Sequence, residues 1–255
     1  VSVFVLKLLA MGSMLIDHIG YRLAGNPTWM RVIGRTAFIL YAFLMAEGYC
    51  HLKDRPQRLK GHLGKLLLLC LVSEIPYDLC TEGKLFDFST QNVVLTLTAG
   101  FLALILSGML FKKLAKRKTA AIAASAAVCI LLAYLTYLIR ADYGFSGVLL
   151  IGLFYLYLRR ADSMGLGKRA ACLAGVCAAY AAINIWTLSG FGGWTQLTES
   201  VFRYRWWLMG TLVPFGIIIF YNRKLGHRSR GFNIVYSWFY PAHQAVLYLI
   251  WRFIL

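Results

Sequence analysis

Charge is scarce in this sequence. Asp, Glu, Lys and Arg together make up 15% of its 255 residues, where soluble domains carry about a quarter. Acid is scarcer still: ten Asp and Glu stand against 27 Lys and Arg. The six cysteines (Cys50, Cys70, Cys80, Cys129, Cys172, Cys177) show no C-x-x-C or other metal spacing, and Cys172 and Cys177 lie five apart on one predicted helix, a poor disulfide geometry. They read as small apolar packing residues, and no metal site is expected. No G-x-G-x-x-G or P-loop pattern with a flanking strand occurs, and a soluble-type nucleotide fold is not required. Repeats, linkers and low-complexity segments are also missing, so one domain over 1–255 is expected. The first apolar run contains Lys7 but lacks a basic n-region and a small-residue cleavage site, so it reads as a span rather than a signal peptide. The chain opens on Val1, which reads as a trimmed or late start.

What is abundant is apolar. Hydrophobic residues make 60% of the chain, and they come in runs close to the length that crosses a hydrocarbon core. The expected fold is all-α: a polytopic integral membrane bundle of about nine transmembrane helices. The spans run near 3–22, 29–50, 64–80, 92–111, 120–139, 144–158, 170–188, 206–221 and 233–254. The third and sixth are short for a ~30 Å core. A net charge of +17 would suit a nucleic-acid binder if it covered one soluble face. Here the cations sit in short connections, so no nucleic-acid partner is expected; membrane lipid is.

Those connections alternate. Segments 51–65 (Lys53, Arg55, Arg58, Lys60, Lys65), 112–118 (KKLAKRK), 159–169 (Arg159, Arg160, Lys168, Arg169) and 222–232 (Arg223, Lys224, Arg228, Arg230) each follow an even-numbered span. The others, 23–28, 81–91, 140–143 and 189–205, are acidic or mixed. The positive-inside rule then places the amino terminus in the cytoplasm. Trp29, Trp186, Trp194, Trp206, Trp207 and Trp251 fall at predicted outer ends, as an aromatic belt would. The Gly-rich, aromatic stretch 189–205 reads as an outer loop, with a surface-lying lid as the alternative.

Ionisable residues inside spans cost a few kcal/mol each and need partners or a task. Five outer regions bring polar groups to one depth: Asp17 and His18; Arg31 and Arg35, one turn apart; Glu74 and Asp78; Asn92 and Thr96; and the link Arg140, Asp142, Tyr143. A polar cavity opening outward accounts for that better than scattered snorkelling. Adjacent on a helix, Asp17 and His18 diverge by about 100° and are not expected to pair; Asp17 is free to neutralise Arg31 or Arg35. Arg31 or Arg35 could instead pair with Glu74 or Asp78, and such a pair can be purely structural. Arg22 and Arg252 at span ends read as interface anchors. Nearer the cytoplasm lie Glu47 and, in the segment YPAH, Tyr240 and His243, where Pro241 interrupts a helix ladder.

The segments LKLLAMGSMLIDHIG (6–20), RVIGRTAFILYAFLMAEG (31–48), SEIPY (73–77), QNVVLTLTAG (91–100), DYGFSGVLL (142–150) and YPAH (240–243) occur in an order that resembles the TraX family, over nearly the whole chain. Members are multispan proteins of the bacterial cytoplasmic (inner) membrane. The name-giving member is tied to amino-terminal acetylation of pilin, and the family is similar to transmembrane acyltransferases that use cytoplasmic acyl-CoA. By the resemblance Asp17, His18, Asn92, Asp142 and Tyr143 are expected to be catalytic, and Arg31, Arg35, Glu47 and His243 donor-binding; Tyr240, on the helical face of His243, is placed with the donor site, with aromatic packing as the alternative. Ile39, Leu52 and Glu74 depart from residues common in the family.

Acyl transfer from a thioester needs a base, an oxyanion donor and a phosphate site for CoA. His18 is the candidate base. Asn92, Tyr143, Arg31 or Arg35 are candidate oxyanion donors. The expectation is an enzyme that moves an acetyl group from acetyl-CoA to a peptide amino terminus or a glycan hydroxyl. The alternatives are a transporter or flippase of an anionic or lipid-linked substrate, and an assembly subunit whose charge pairs only hold helices together.

Overall fold

The structure is a computed structural model describing residues 1–254 except Arg228; the side chains of Trp194, Phe202 and Trp207 also lie outside the described set. The expectations for Arg228 as a loop cation, and for Trp194 and Trp207 as belt residues, therefore lie outside the described residues.

Nine helices occur among the described residues: α1 Val3–Arg22, α2 Thr28–Leu52, α3 Pro56–Thr81, α4 Val93–Lys113, α5 Lys118–Leu138, α6 Gly144–Ala161, α7 Leu166–Leu188, α8 Trp194–Ile219 and α9 Arg230–Phe253. The protein is all-α and polytopic. Five helices (α1, α2, α4, α5 and α7) are long and apolar enough to cross a membrane. The other four are more polar over their best stretch. α3, for example, carries Arg58, Lys60 and Lys65 in its first half and Glu74 and Asp78 in its second.

Local chemistry sets the helix ends. The Ser2 hydroxyl accepts from Val5 N–H, the Asn92 amide oxygen from Val94 N–H at 2.9 Å, and Ser229 from Phe232 N–H; each satisfies a donor that the first turn leaves open. Pro56 opens α3 at a position where a missing N–H costs nothing. α3 therefore begins eight residues before the expected span, and Arg58, Lys60 and Lys65 are helical rather than in a loop. The larger difference is α8. Residues 189–205 were expected as a loop, yet the helix starts at Trp194, behind Gly193, and breaks only at Tyr204 (φ −103°, ψ 15°). The stretch TQLTESVF contains no Gly or Pro, so the Gly-rich signal ends at Gly193 and no helix breaker follows it. α9 continues through Pro241 as one helix.

The contacts divide the chain into two compact units. The first comprises Val1–Leu44, Val72–Asp87 and Met164–Leu255; the second comprises Met45–Leu71 and Phe88–Ser163. α2 and α3 each contribute to both.

In the second unit, Ala103, Ala133 and Val148 form a small-residue core, with Cys129, Leu132, Phe145 and Leu149 packed against it. Gly100 lets α4 approach α6: a Cβ there would overlap the Ile151 side chain. Ile122, Ile130, Leu131 and Leu138 of α5 are exposed. Such a face is wrong for water and suited to acyl chains.

In the first unit, α1 and α9 run parallel, because the contacts Phe4–Phe232, Lys7–Asn233 and His18–His243 advance together along both helices. α2 approaches α1 and α8 at glycines. Gly20 faces Met30, Gly34 faces the Asp17 side chain, and Gly210 faces the backbone carbonyl of Val32. Trp29, Trp186, Trp206 and Trp251 are exposed. In the loop after α3, Asp87 accepts from Lys84 at 3.0 Å, and this hydrogen bond holds the ammonium above its usual range.

Two glycines of α8 test the packing. Gly210→Ala would drive a methyl into the Val32 carbonyl, which cannot swing away, and should cost about 1–3 kcal/mol. Gly216→Ala meets nothing within 4 Å and should be neutral or stabilising by up to about 1 kcal/mol. Thermal unfolding of the two variants in one detergent separates them.

Candidate functional site

The first unit gathers six of the ten expected site residues. Asp17 is the hub. Its carboxylate accepts from Arg31 Nη1 at 2.8 Å and from Arg35 Nη2 at 3.3 and 3.4 Å. Arg35 Nε also donates to the Arg31 carbonyl at 3.2 Å. Asp17 and Arg35 are buried, with side chains 10% exposed, whereas Arg31 is 31% exposed. The spacing explains the geometry: Arg31 and Arg35 lie one turn apart, so both guanidiniums reach the same carboxylate. Gly34, between them, removes the Cβ that would collide with it. The choice left open by the sequence, Arg31 or Arg35, is resolved as both. Two cations on one anion leave the cluster with a net positive charge.

His18 lies one residue on. Its Nε2 is 3.9 Å from Asp17 Oδ2, beyond hydrogen-bond reach, in keeping with the divergence of adjacent helical residues. Its Nδ1 is 2.5 Å from His243 Nε2, and His243 Nδ1 is 2.6 Å from the Phe239 carbonyl. These contacts fix the tautomers. A carbonyl only accepts, so His243 Nδ1 carries a proton and donates it. In a neutral ring His243 Nε2 then accepts, and His18 Nδ1 must be its donor. His18 Nε2 is left with a lone pair and no hydrogen-bond partner among the described residues. The two rings lie parallel, 1° apart. Tyr240 meets both edge-on, with centroids at 6.4 Å from His18 and 5.9 Å from His243. His243 is buried, while the His18 side chain is 21% exposed. The buried ring therefore orients the accessible one.

Arg22 does not join this group. Its guanidinium stacks over the Trp251 ring at 3.5 Å and donates to the Leu79 carbonyl, as an anchor would. Asp78, at the outer end of α3, accepts from the Asp87 backbone N–H at 2.9 Å.

The remaining four expected residues belong to the second unit. Glu47 is buried, and its Oε1 lies 3.6 Å from His51 Nδ1, which also contacts the Glu47 carbonyl at 3.0 Å. Asn92 caps α4 and donates to the Cys70 carbonyl at 3.0 Å, tying α4 to α3. The Asp142 backbone accepts from the Thr96 hydroxyl at 2.6 Å and donates to the Gln91 carbonyl at 2.9 Å, beside a parallel bridge between Gln91 and Ala141. Tyr143 and Arg140 hold φ of 61° and 55°, the left-handed region that non-glycine residues seldom adopt. Strained backbone of this kind clusters at functional sites.

The sequence did not reveal the His18–His243 contact, because the two residues are 225 positions apart. The shared signal was the occurrence of both histidines inside apolar runs.

A bundle with several lipid-crossing helices and a charged, hydrogen-bonded cluster within them defines a multi-pass protein of the bacterial inner membrane. The chain belongs to the TraX family, whose description, TraX protein, it matches over residues 2–251. It is also similar to the probable fimbrial assembly protein FimC, serogroup H1, of Dichelobacter nodosus: 23% identical over 265 residues, covering 96% of this chain and 94% of that protein. No solved structure matches it.

The hub makes a clear stability prediction. Asp17→Ala would leave Arg35 buried without its anion and should cost about 3–5 kcal/mol. Arg31→Gln, at the exposed side, should cost about 1 kcal/mol or less. Unfolding in mixed detergent micelles measures the difference; equal losses would mean that burial does not set the cost.

Proposed function

We propose that the protein is a membrane acyltransferase that takes an acetyl group from cytoplasmic acetyl-CoA and delivers it to an extracytoplasmic acceptor. All nine helices cross the bilayer in this reading, with the amino terminus inside, and the chain works as a single catalytic domain. The observation that carries the proposal is the half-open imidazole of His18, its Nδ1 held by His243 and its Nε2 bearing a lone pair.

The step balances as follows. The acceptor amine or hydroxyl attacks the thioester carbonyl while His18 Nε2 takes its proton. The C–S bond then breaks, and the thiolate leaves as CoA–SH after recovering that proton. The imidazolium formed in between faces the Asp17 carboxylate at 3.9 Å. The partly exposed guanidinium of Arg31 is the candidate oxyanion donor, supplied by the excess positive charge of the hub. Tyr240 walls the histidine pair. Asn92, Asp142, Tyr143 and Glu47, which the resemblance also makes functional, support transfer without supplying the base. The fimbrial name of the Dichelobacter nodosus relative favours a peptide acceptor over a glycan.

Purified protein should hydrolyse or exchange labelled acetyl-CoA. His18→Ala should lower turnover by about 10²–10⁴-fold with expression unchanged. His243→Ala should lower it less, because the base survives without its orienting partner. Full turnover in His18→Ala would move the base elsewhere, and no turnover in the wild-type protein with any acyl-CoA would favour transport or scaffolding.

A further inference from the structure

Lys7 is a cation with no anionic partner among the described residues. It lies on α1, half-buried and eleven positions before His18, which is about 16 Å along a helix. Its ammonium donates to the Asn233 side-chain oxygen at 3.3 Å and sits 4.3 Å above the Tyr236 ring, which is itself stacked on Tyr41 at 5.8 Å. Both partners are neutral. No carboxylate pairs with Lys7 among the described residues. Nor does the sequence offer one nearby: no acid precedes Asp17, and none follows Glu199. A snorkelling lysine would turn its head to water. This one is held along the face of α9 by an amide and an aromatic ring.

More positive charge stands at the same end of α1. The backbone N–H groups of Val3 and Phe4 donate to the carbonyls of Lys224 and Leu225 at 2.9 and 3.1 Å. This pins the segment bearing Arg223 and Lys224 one turn from Lys7. His227 meets Phe4 edge-on at 5.3 Å. This end of α1 carries several cations, and the Lys7 ammonium has a donor position left to fill.

We infer that Lys7 and Asn233, with the Arg223–Lys224 segment, form a phosphate-binding site at the cytoplasmic end of the α1–α9 seam. The ligand chemistry is a phosphoester. Under the acyltransferase reading, on which this source rests, the phosphate belongs to CoA; the other source is an anionic phospholipid headgroup. The parallel seam gives the site its meaning. From Lys7 the same two helices lead past Tyr236 and Tyr240 to His18, so a phosphate held at Lys7 starts an extended arm on the line that ends at the base.

Desulfo-CoA binding to protein in zwitterionic nanodiscs tests the first source, and retention of phosphatidylglycerol through purification, read by native mass spectrometry, tests the second. Lys7→Gln should raise the Kd for desulfo-CoA by about tenfold, Lys7→Arg should restore it, and Lys116→Gln should leave it unchanged. Asn233→Ala, on the exposed face of α9, should raise the Kd in the same direction and serves if Lys7→Gln does not fold. If Lys7→Gln instead lowers phosphatidylglycerol retention and leaves desulfo-CoA binding intact, the site stands with a lipid phosphate in it. If the wild-type protein binds no desulfo-CoA yet retains phosphatidylglycerol through Lys7, the site stands and the acyl-CoA reading falls. Binding of both ligands that is indifferent to Lys7 overturns the site and leaves that reading untouched.

Discussion

The grip of Arg31 and Arg35 on Asp17 is the constraint from which the first unit's site is built. A carboxylate taken out of water without partners would cost several kcal/mol, and so would each guanidinium. Together they are tolerable because the geometry is close and the Nε–H of Arg35 is met by the Arg31 carbonyl. That geometry depends on backbone as much as on charge. α2 can bring two arginines to one carboxylate only because Gly34 leaves room for the Asp17 side chain. The ion cluster therefore fixes the rotation of α1 against α2, and with it the direction in which the next residue, His18, points.

The histidine pair depends on that rotation. His18 faces α9 because Asp17 faces α2, two directions separated by the turn between consecutive helical residues. α9 answers with His243, locked by its own backbone one turn back. The chain of contacts from the Phe239 carbonyl to His18 Nε2 has one direction, set by a group that can only accept. The accessible nitrogen is thereby defined by a carbonyl two rings away.

Much of this was legible in the sequence and some was not. Each of the nine helices among the described residues overlaps an expected span, and five are long and apolar enough to satisfy their backbone internally in lipid. The ends are where the reading failed. α3 gains its first turns from Pro56 and a polar stretch that hydropathy alone assigns to a loop, and α8 gains Trp194 to Arg203 after a glycine signal that stops at Gly193. Within the site, the i, i+4 arginines and their carboxylate were legible from spacing. The partner of His18 was not, because nothing local distinguishes His243 from a packed histidine. Asn92 was visible as a polar residue opening a span; its cap and its reach to Cys70 needed coordinates.

Why a second histidine should orient the first follows from the solvent. In water-soluble hydrolases a buried carboxylate orients the catalytic imidazole and stabilises its protonated form. In a bilayer an added carboxylate would itself have to be neutralised. An imidazole backed by a peptide carbonyl supplies the same directional acceptor with no net charge. Here the carboxylate is kept one helical position away, held by two arginines, and at 3.9 Å from His18 Nε2 it lies beyond hydrogen-bond reach. In the proposed reaction, orientation and charge stabilisation, which one aspartate combines elsewhere, are divided between α9 and α2.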